Sequence, residues 1–271
     1  MLYEEIPLSI DYARAGLTGK GEPRLYAYRR SPSPEMTAVP RPAVVICPGG
    51  GYQMTSDREA EPIALRFLAE GFQCFVLRYS VAGRVLFPGP QLELAAAVAL
   101  VRRHAEEWMV NPDKIVVCGF SAGGHLAGSL GMFWNRELLT APLGLRPEDI
   151  RPNGMILAYP VITSGEFAHR DSFKRLLGDR YEENLELASL EKQVSADTPP
   201  AFVWHTWDDN AVPVENALLL AGALRRHGIP LEMHILPSGP HGLALAAEET
   251  GIAVPSCAAW PDWAARWLRE L

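Results

Sequence analysis

The stretch Ile115-Val116-Val117-Cys118-Gly119-Phe120-Ser121-Ala122-Gly123-Gly124-His125-Leu126-Ala127 limits what this chain can fold into more than any other. Its apolar run suits a buried parallel strand, breaks at Gly119, offers one serine, and passes through Ala122-Gly123 into alanine- and leucine-bearing helical sequence. Strand, sharp turn and helix are the context in which G-x-S-x-G holds a serine in a strained turn with its hydroxyl beyond the sheet. Glycines two residues either side of Ser121 let strand and helix close tightly, which side chains there would prevent. The simpler role for Ser121 is a helix N-cap. The flanking strand and helix favour the nucleophile, so the rest of the chain must supply its partners.

Composition narrows the field. A chain of 271 residues, 48% hydrophobic and 21% charged, suits a single α/β domain spanning residues 1–271. The net charge is -7 and no Lys/Arg stripe is present, so nucleic acid and anionic membrane are poor partners and a small neutral molecule is the better one. The first residues lack the basic and apolar regions of an export signal, and no later run reaches membrane-spanning length, so a cytoplasmic location is expected. Cys47, Cys74 and Cys118 fall in apolar runs, and with Cys257 they show no metal-ligand spacing. They read as free thiols, with no disulfide, no metal site and no cofactor expected.

Along the chain, residues 3–10 and 24–30 alternate as antiparallel edge strands do. Residues 43–47 form the first central strand, which ends in Pro48-Gly49-Gly50-Gly51-Tyr52. That triple glycine either is a flexible turn or aims backbone N–H groups at a bound oxygen, as an HGGG-type loop does, with Pro48 in place of the histidine. Ser56 and Glu59 read as a capping box opening a helix over 57–70, which makes Asp57, Arg58 and Glu59 structural, and Gly71 closes it. Residues 72–79 are the next buried strand. In the long helix that follows, Leu94, Val98, Val101, Ala105 and Trp108 share one apolar face, and Asn111-Pro112-Asp113-Lys114 turns the chain into the serine-bearing strand.

His125 lies one turn after Ser121 inside a helix, which suits a packed, hydrogen-bonded histidine better than a base. Residues 154–160 form another core strand. Residues 161–199, with mixed charges and scattered aromatics, predict short helices that cap the site. A strand over 201–206, a helix over 214–227, a last strand over 231–236 and a helix over 260–271 complete the chain. Strands alternating with helices from residue 43 onward predict a mostly parallel sheet of about eight strands, flanked by helices, with ligands at the strands' carboxyl ends.

Ser121, the pair Asp208-Asp209 and His241 all fall at such ends, in the order serine, acid, histidine. Of seven histidines, His205 and His234 lie in strands, His104 and His227 in helices and His169 in the capping segment. His241 alone sits in a loop after the final strand, from which a base can reach the serine.

Gly49-Gly50-Gly51-Tyr52, Ser56-Asp57-Arg58-Glu59-Ala60-Glu61-Pro62, the run 120–126, residues 209–216 and residues 239–243 together resemble bacterial α/β-hydrolases related to acetyl-xylan esterases and acetyl/feruloyl esterases. The likeness extends over residues 40–245. It implies an α/β-hydrolase fold and a serine carboxylic-ester hydrolase that removes acetyl or other short acyl groups from carbohydrate esters such as acetylated xylo-oligosaccharides. By that likeness Ser121 is the nucleophile, Asp209 the acid, His241 the base, and Gly50, Gly51 and Ala122 the backbone oxyanion donors. The acid of these enzymes stands in D-x-x-V-P, which Asp209 satisfies with Val212-Pro213 and Asp208 misses by one residue. Amide hydrolysis of the arylformamidase or peptidase type uses the same groups, and a hydrolysis-dead ligand-binding module is the non-enzyme alternative.

Overall fold

The computed structural model describes residues 1–271. Its eight strands are β1 (Leu2–Pro7), β2 (Arg24–Arg29), β3 (Arg41–Cys47), β4 (Gln73–Arg78), β5 (Val110–Phe120), β6 (Gly154–Ala158), β7 (Ala201–Thr206) and β8 (Leu231–Leu236). They form one sheet in the order β1-β2-β4-β3-β5-β6-β7-β8. β1 and β2 pair antiparallel, β2 runs antiparallel to β4, and every pair from β4 to β8 is parallel. The helices are α1 (Glu61–Ala69), α2 (Gly89–Arg103), α3 (Ala122–Phe133), α4 (Glu137–Leu143), α5 (Pro147–Ile150), α6 (Arg170–Leu177), α7 (Tyr181–Asn184), α8 (Glu215–Arg226) and α9 (Trp260–Glu270). The mostly parallel, helix-flanked sheet expected from the sequence is therefore present. None of the helices is long and apolar enough to cross a membrane.

The unbroken apolar runs have a direct cause, because the central strands are covered on both faces. Ala43, Val45, Cys47, Ile115 and Val117 face a core shared with α2, α3 and α8, while Val44, Ile46, Val116, Cys118 and Phe120 face one shared with α1 and α9. The second core is aromatic: Trp204 stacks on Trp260 at 5.3 Å between ring centres, with Phe67 and Phe120 edge-on to Trp260. β1 lies at an open edge, where Arg24–Glu5 and Arg29–Glu4 ion pairs tie it to β2. All four cysteines are buried free thiols.

Three local expectations differ from what the chain does. No capping box forms at Ser56: residues Asp57–Glu59 make a 3-10 turn and α1 starts at Glu61. Pro62 explains this, since it has no N–H to give Arg58 O and its ring would clash with that carbonyl in a helix continued from residue 58. α2 ends at Arg103, so Ala105 and Trp108 are buried in the turns beyond it rather than along the helix. Residues 111–114 lie within β5, whose register against β3 shifts between Arg41 and Ala43; the Asn111 side chain accepts the Asp113 N–H there, so the turn chemistry produces a bulge and not a separate turn.

Candidate active site

β5 delivers Ser121 at φ 52° and ψ −119°, a left-handed conformation that non-glycine residues avoid. The surroundings hold it there. Ser121 N donates to Ala158 O at 3.0 Å, and Ser121 O accepts from the N–H groups of His125 and Val161, both at 3.1 Å. A Cβ at Gly119 would lie 2.1 Å from Gly123 O, and one at Gly123 would lie 2.0 Å from Cys47 O, so the turn closes only with glycine at both.

Ser121 Oγ is 2.8 Å from His241 Nε2, and His241 Nδ1 is 2.6 Å from Asp209 Oδ2. A carboxylate only accepts here, so Nδ1 carries the hydrogen and Nε2 is left to accept the serine hydroxyl. Asp209 is saturated with donors. Its Oδ1 takes the Ala211 and Val212 N–H groups at 2.9 Å each, and its Oδ2 also lies 3.3 Å from His205 Nε2. Burial pushes the Asp209 carboxyl up, but the hydrogen bonds from His205 and His241 and the charge of His241 outweigh it and hold the group well below the usual carboxylate range. Asp208 points elsewhere, accepting Ser238 Oγ–H at 2.7 Å and Gly239 N–H at 2.8 Å, which fixes the start of the histidine loop.

The glycine loop lies against the serine. A Cβ at Gly49 would come within 3.0 Å of Ser121 Cβ, and Gly50 (φ 128°) and Gly51 (φ 61°) take conformations that favour glycine. Gly50 O accepts from Gln53 and Met54, while the N–H groups of Gly50 and Gly51 donate to nothing in the chain. Ala122 opens α3, where first-turn N–H groups are unused by the helix itself. The structure thus brings Ser121, Asp209, His241, Gly50, Gly51 and Ala122 to one end of the sheet.

Several neighbours carry no local sequence signal of a place in the site. His205, inside β7, donates from Nε2 to Val212 O at 2.9 Å and reaches Asp209 from beneath. Glu59 is turned inward to Gly49 and Tyr159. In the 161–199 segment, Arg175 Nη1 is 3.4 Å from Gly51 O, and His169 Nδ1 is 2.8 Å from Ser172 Oγ. A Cβ at Gly51 would lie 3.8 Å from both His169 Cε1 and Ser172 Oγ, so α6 and its N-terminal histidine face the glycine loop. Burial, then the charge of His241, pushes His169 down. His125 is packed as expected, with Nδ1 2.9 Å from Tyr52 Oη and Nε2 2.8 Å from Ala188 O, and burial pushes it down to about 4.

Residues 32–224 match the BD-FAE family. The chain belongs to the BD-FAE family. Its architecture is the α/β-hydrolase fold. Among relatives of this BD-FAE member, endo-1,4-beta-xylanase B of Butyrivibrio fibrisolvens is 40% identical over 84% of this chain and 35% of its own length. An acetylxylan esterase of Xylanibacter ruminicola is 33% identical over 74% of this chain and 40% of its own length. The chain therefore spans 35% and 40% of these two curated relatives. Among solved structures, an acetyl ester-xyloside bifunctional hydrolase from Caldicellulosiruptor lactoaceticus superposes with a TM-score of 0.84 at 36% identity, over 98% of this chain and 96% of that one.

Proposed function

We propose that the chain is a serine carboxylic-ester hydrolase that removes acetyl or other short acyl groups from small carbohydrate esters such as acetylated xylo-oligosaccharides. One observation carries the reading: the continuous relay Ser121–His241–Asp209, with 2.8 and 2.6 Å links, beside a glycine loop with uncommitted N–H groups. Ser121 Oγ attacks the ester carbonyl while His241 Nε2 takes its proton; Asp209 holds the imidazole and stabilises its charged form. The tetrahedral oxygen sits among the N–H groups of Gly50, Gly51 and Ala122, each such donor being worth about 10²–10³ in rate. His241 returns the proton to the leaving alcohol, and water, deprotonated by the same imidazole, clears the acyl-enzyme. The carbohydrate assignment draws on the acetylxylan esterase and xyloside hydrolase relatives. Residues 1–271 act as one domain in this reading, and the 161–199 segment, with His169 and Arg175 against Gly51, caps the site and contacts the leaving alcohol.

The test is hydrolysis of p-nitrophenyl esters of rising acyl length and of acetylated xylo-oligosaccharides by the full chain and by Ser121→Ala. Turnover should fall with acyl length and vanish in a folded Ser121→Ala protein. Full activity in that variant would remove the serine mechanism, and octanoate as the best substrate by kcat/KM would remove the carbohydrate assignment.

A further inference from the structure

We infer that Glu59 and Tyr159 are positioning residues that strap the oxyanion loop to the histidine loop. The inference rests on the esterase reading above. Glu59 is 3% and Tyr159 1% exposed. Glu59 Oε2 accepts the Gly49 N–H at 2.8 Å, Glu59 Oε1 accepts the Tyr159 hydroxyl at 2.7 Å, and the Tyr159 oxygen accepts the Ala244 N–H at 2.9 Å. One end of the strap is therefore one residue before Gly50, and the other is three residues after His241.

Gly49 N–H donates to Glu59 Oε2 and Ala244 N–H to the Tyr159 oxygen, and with Glu59 ionised the Tyr159 hydroxyl donates to Oε1. Burial holds Glu59 above its ordinary value, and the Tyr159 and Gly49 hydrogen bonds and the charge of His241 offset only part of that. Gly49 admits the carboxylate because a Cβ there would lie 2.8 Å from Glu59 Oε2. Tyr159 is itself held at φ 36°, with its N–H on Trp204 O at 2.8 Å and its ring edge-on to His241 at 5.1 Å. A rigid tether between these loops fixes the N–H groups that face the developing oxyanion relative to the imidazole that becomes charged with it.

The experiment compares wild type, Ser121→Ala, Glu59→Gln, Tyr159→Phe and the Glu59→Gln/Tyr159→Phe double variant on p-nitrophenyl acetate, with melting curves to establish the folded fraction. A displaced loop costs up to about a hundredfold, so each single strap variant should lose about ten- to a hundredfold in kcat with KM within about threefold. The double variant should be no worse than the worse single one, as expected of residues acting as one unit. Tyr159→Phe, which removes one hydroxyl, carries the test if Glu59→Gln does not fold. Wild-type kcat in the folded strap variants, a loss confined to KM, or losses that multiply would overturn the strap while a dead Ser121→Ala kept the serine mechanism. Turnover that survives in Ser121→Ala, or is absent from wild type, would overturn both.

Discussion

The end of the sheet that carries Ser121 and the 161–199 segment above it are built differently. At the sheet end the reacting side chains and the nucleophile's main chain are held by short hydrogen bonds: the Ser121 main chain on both sides, three donors on Asp209 with His205 Nε2 a further 3.3 Å contact, and Glu59 between Gly49 and Tyr159. The segment above is a run of short pieces, α6, α7 and the 3-10 turn Leu190–Lys192, anchored by buried Phe173, Leu176 and Leu177. Its ion pairs Arg180–Glu183 and Lys192–Glu186 are exposed, and buried hydrogen bonds from Ile162 and Thr163 N–H to Asn216 Oδ1 tie its first residues to α8. Surface pairs of that kind are worth about 0–1 kcal/mol, whereas buried carboxylates cannot lose a donor cheaply. Under the proposed mechanism, chemistry belongs to the deck and selectivity to the cap.

The sharpest way to break this contrast is to exchange the two adjacent acids. Asp209→Asn keeps the shape but places an amide where His241 Nδ1–H and His205 need an acceptor, and kcat should fall about a hundredfold to ten-thousandfold. Asp208→Asn retains an oxygen for Gly239 N–H and should cost less than about tenfold, the scale of one hydrogen bond. Both are measured as kcat over a pH series beside their melting curves. Near-wild-type turnover in Asp209→Asn, with collapse in a folded Asp208→Asn, would reverse the assignment and would mean that the deck is not held as described.

Much of the fold was legible because its signals are local. The runs at 43–47 and 115–120 are apolar on consecutive residues for the one reason that both sheet faces are covered. Pro213 and Gly228 bracket α8 as helix punctuation should. Ser121, the pair Asp208-Asp209 and His241 could be picked out because each follows a strand, the resemblance then chose Asp209 from the pair, and the structure brings Ser121, Asp209 and His241 together. What escaped was long-range. Ser56 and Glu59 have capping-box spacing, yet Glu59 bonds Gly49 and Tyr159, and Tyr159 is a hundred residues away in the chain, which no window around residue 59 contains. Nor does the pattern of α6 disclose that His169 and Arg175 face Gly51, since an amphipathic helix records that it covers something, not what.

His125 joins the two regions, with Tyr52 on one ring nitrogen and Ala188, from the upper segment, on the other. Burial holds it near 4, so it is neutral in the folded protein at pH 7. The unfolded chain's histidine takes up its proton near pH 6.5, the folded one only near 4. Between these values the unfolded state binds more protons, so the stabilisation is whole above about 6.5 and is lost as pH falls toward 4, by about 3 kcal/mol at most. Urea unfolding free energies at pH 7, 6, 5 and 4 should decline along that slope, and a folded His125→Gln variant should decline less steeply. An identical slope in both would free His125 of this role and leave the joint between deck and cap elsewhere.

The smallest expected effect tests the cap itself. His169 Nδ1 is engaged by Ser172 while Nε2 has no partner in the chain, so under the proposed function that nitrogen is available to a hydroxyl of the sugar ester. One such hydrogen bond is worth about 0.5–1.5 kcal/mol, or about twofold to thirteenfold in kcat/KM. His169→Ala should lose that factor on acetylated xylo-oligosaccharides and stay within about twofold on p-nitrophenyl acetate, whose leaving group offers no sugar hydroxyl. Arg175→Ala provides the contrast, because Arg175 reaches Gly51 O and its loss loosens the oxyanion loop for every ester. Its decrement should be similar on both substrates and should appear in kcat. If His169→Ala lowered both substrates alike, His169 would belong to the deck and the division between reacting and selecting parts would have to be redrawn one residue lower.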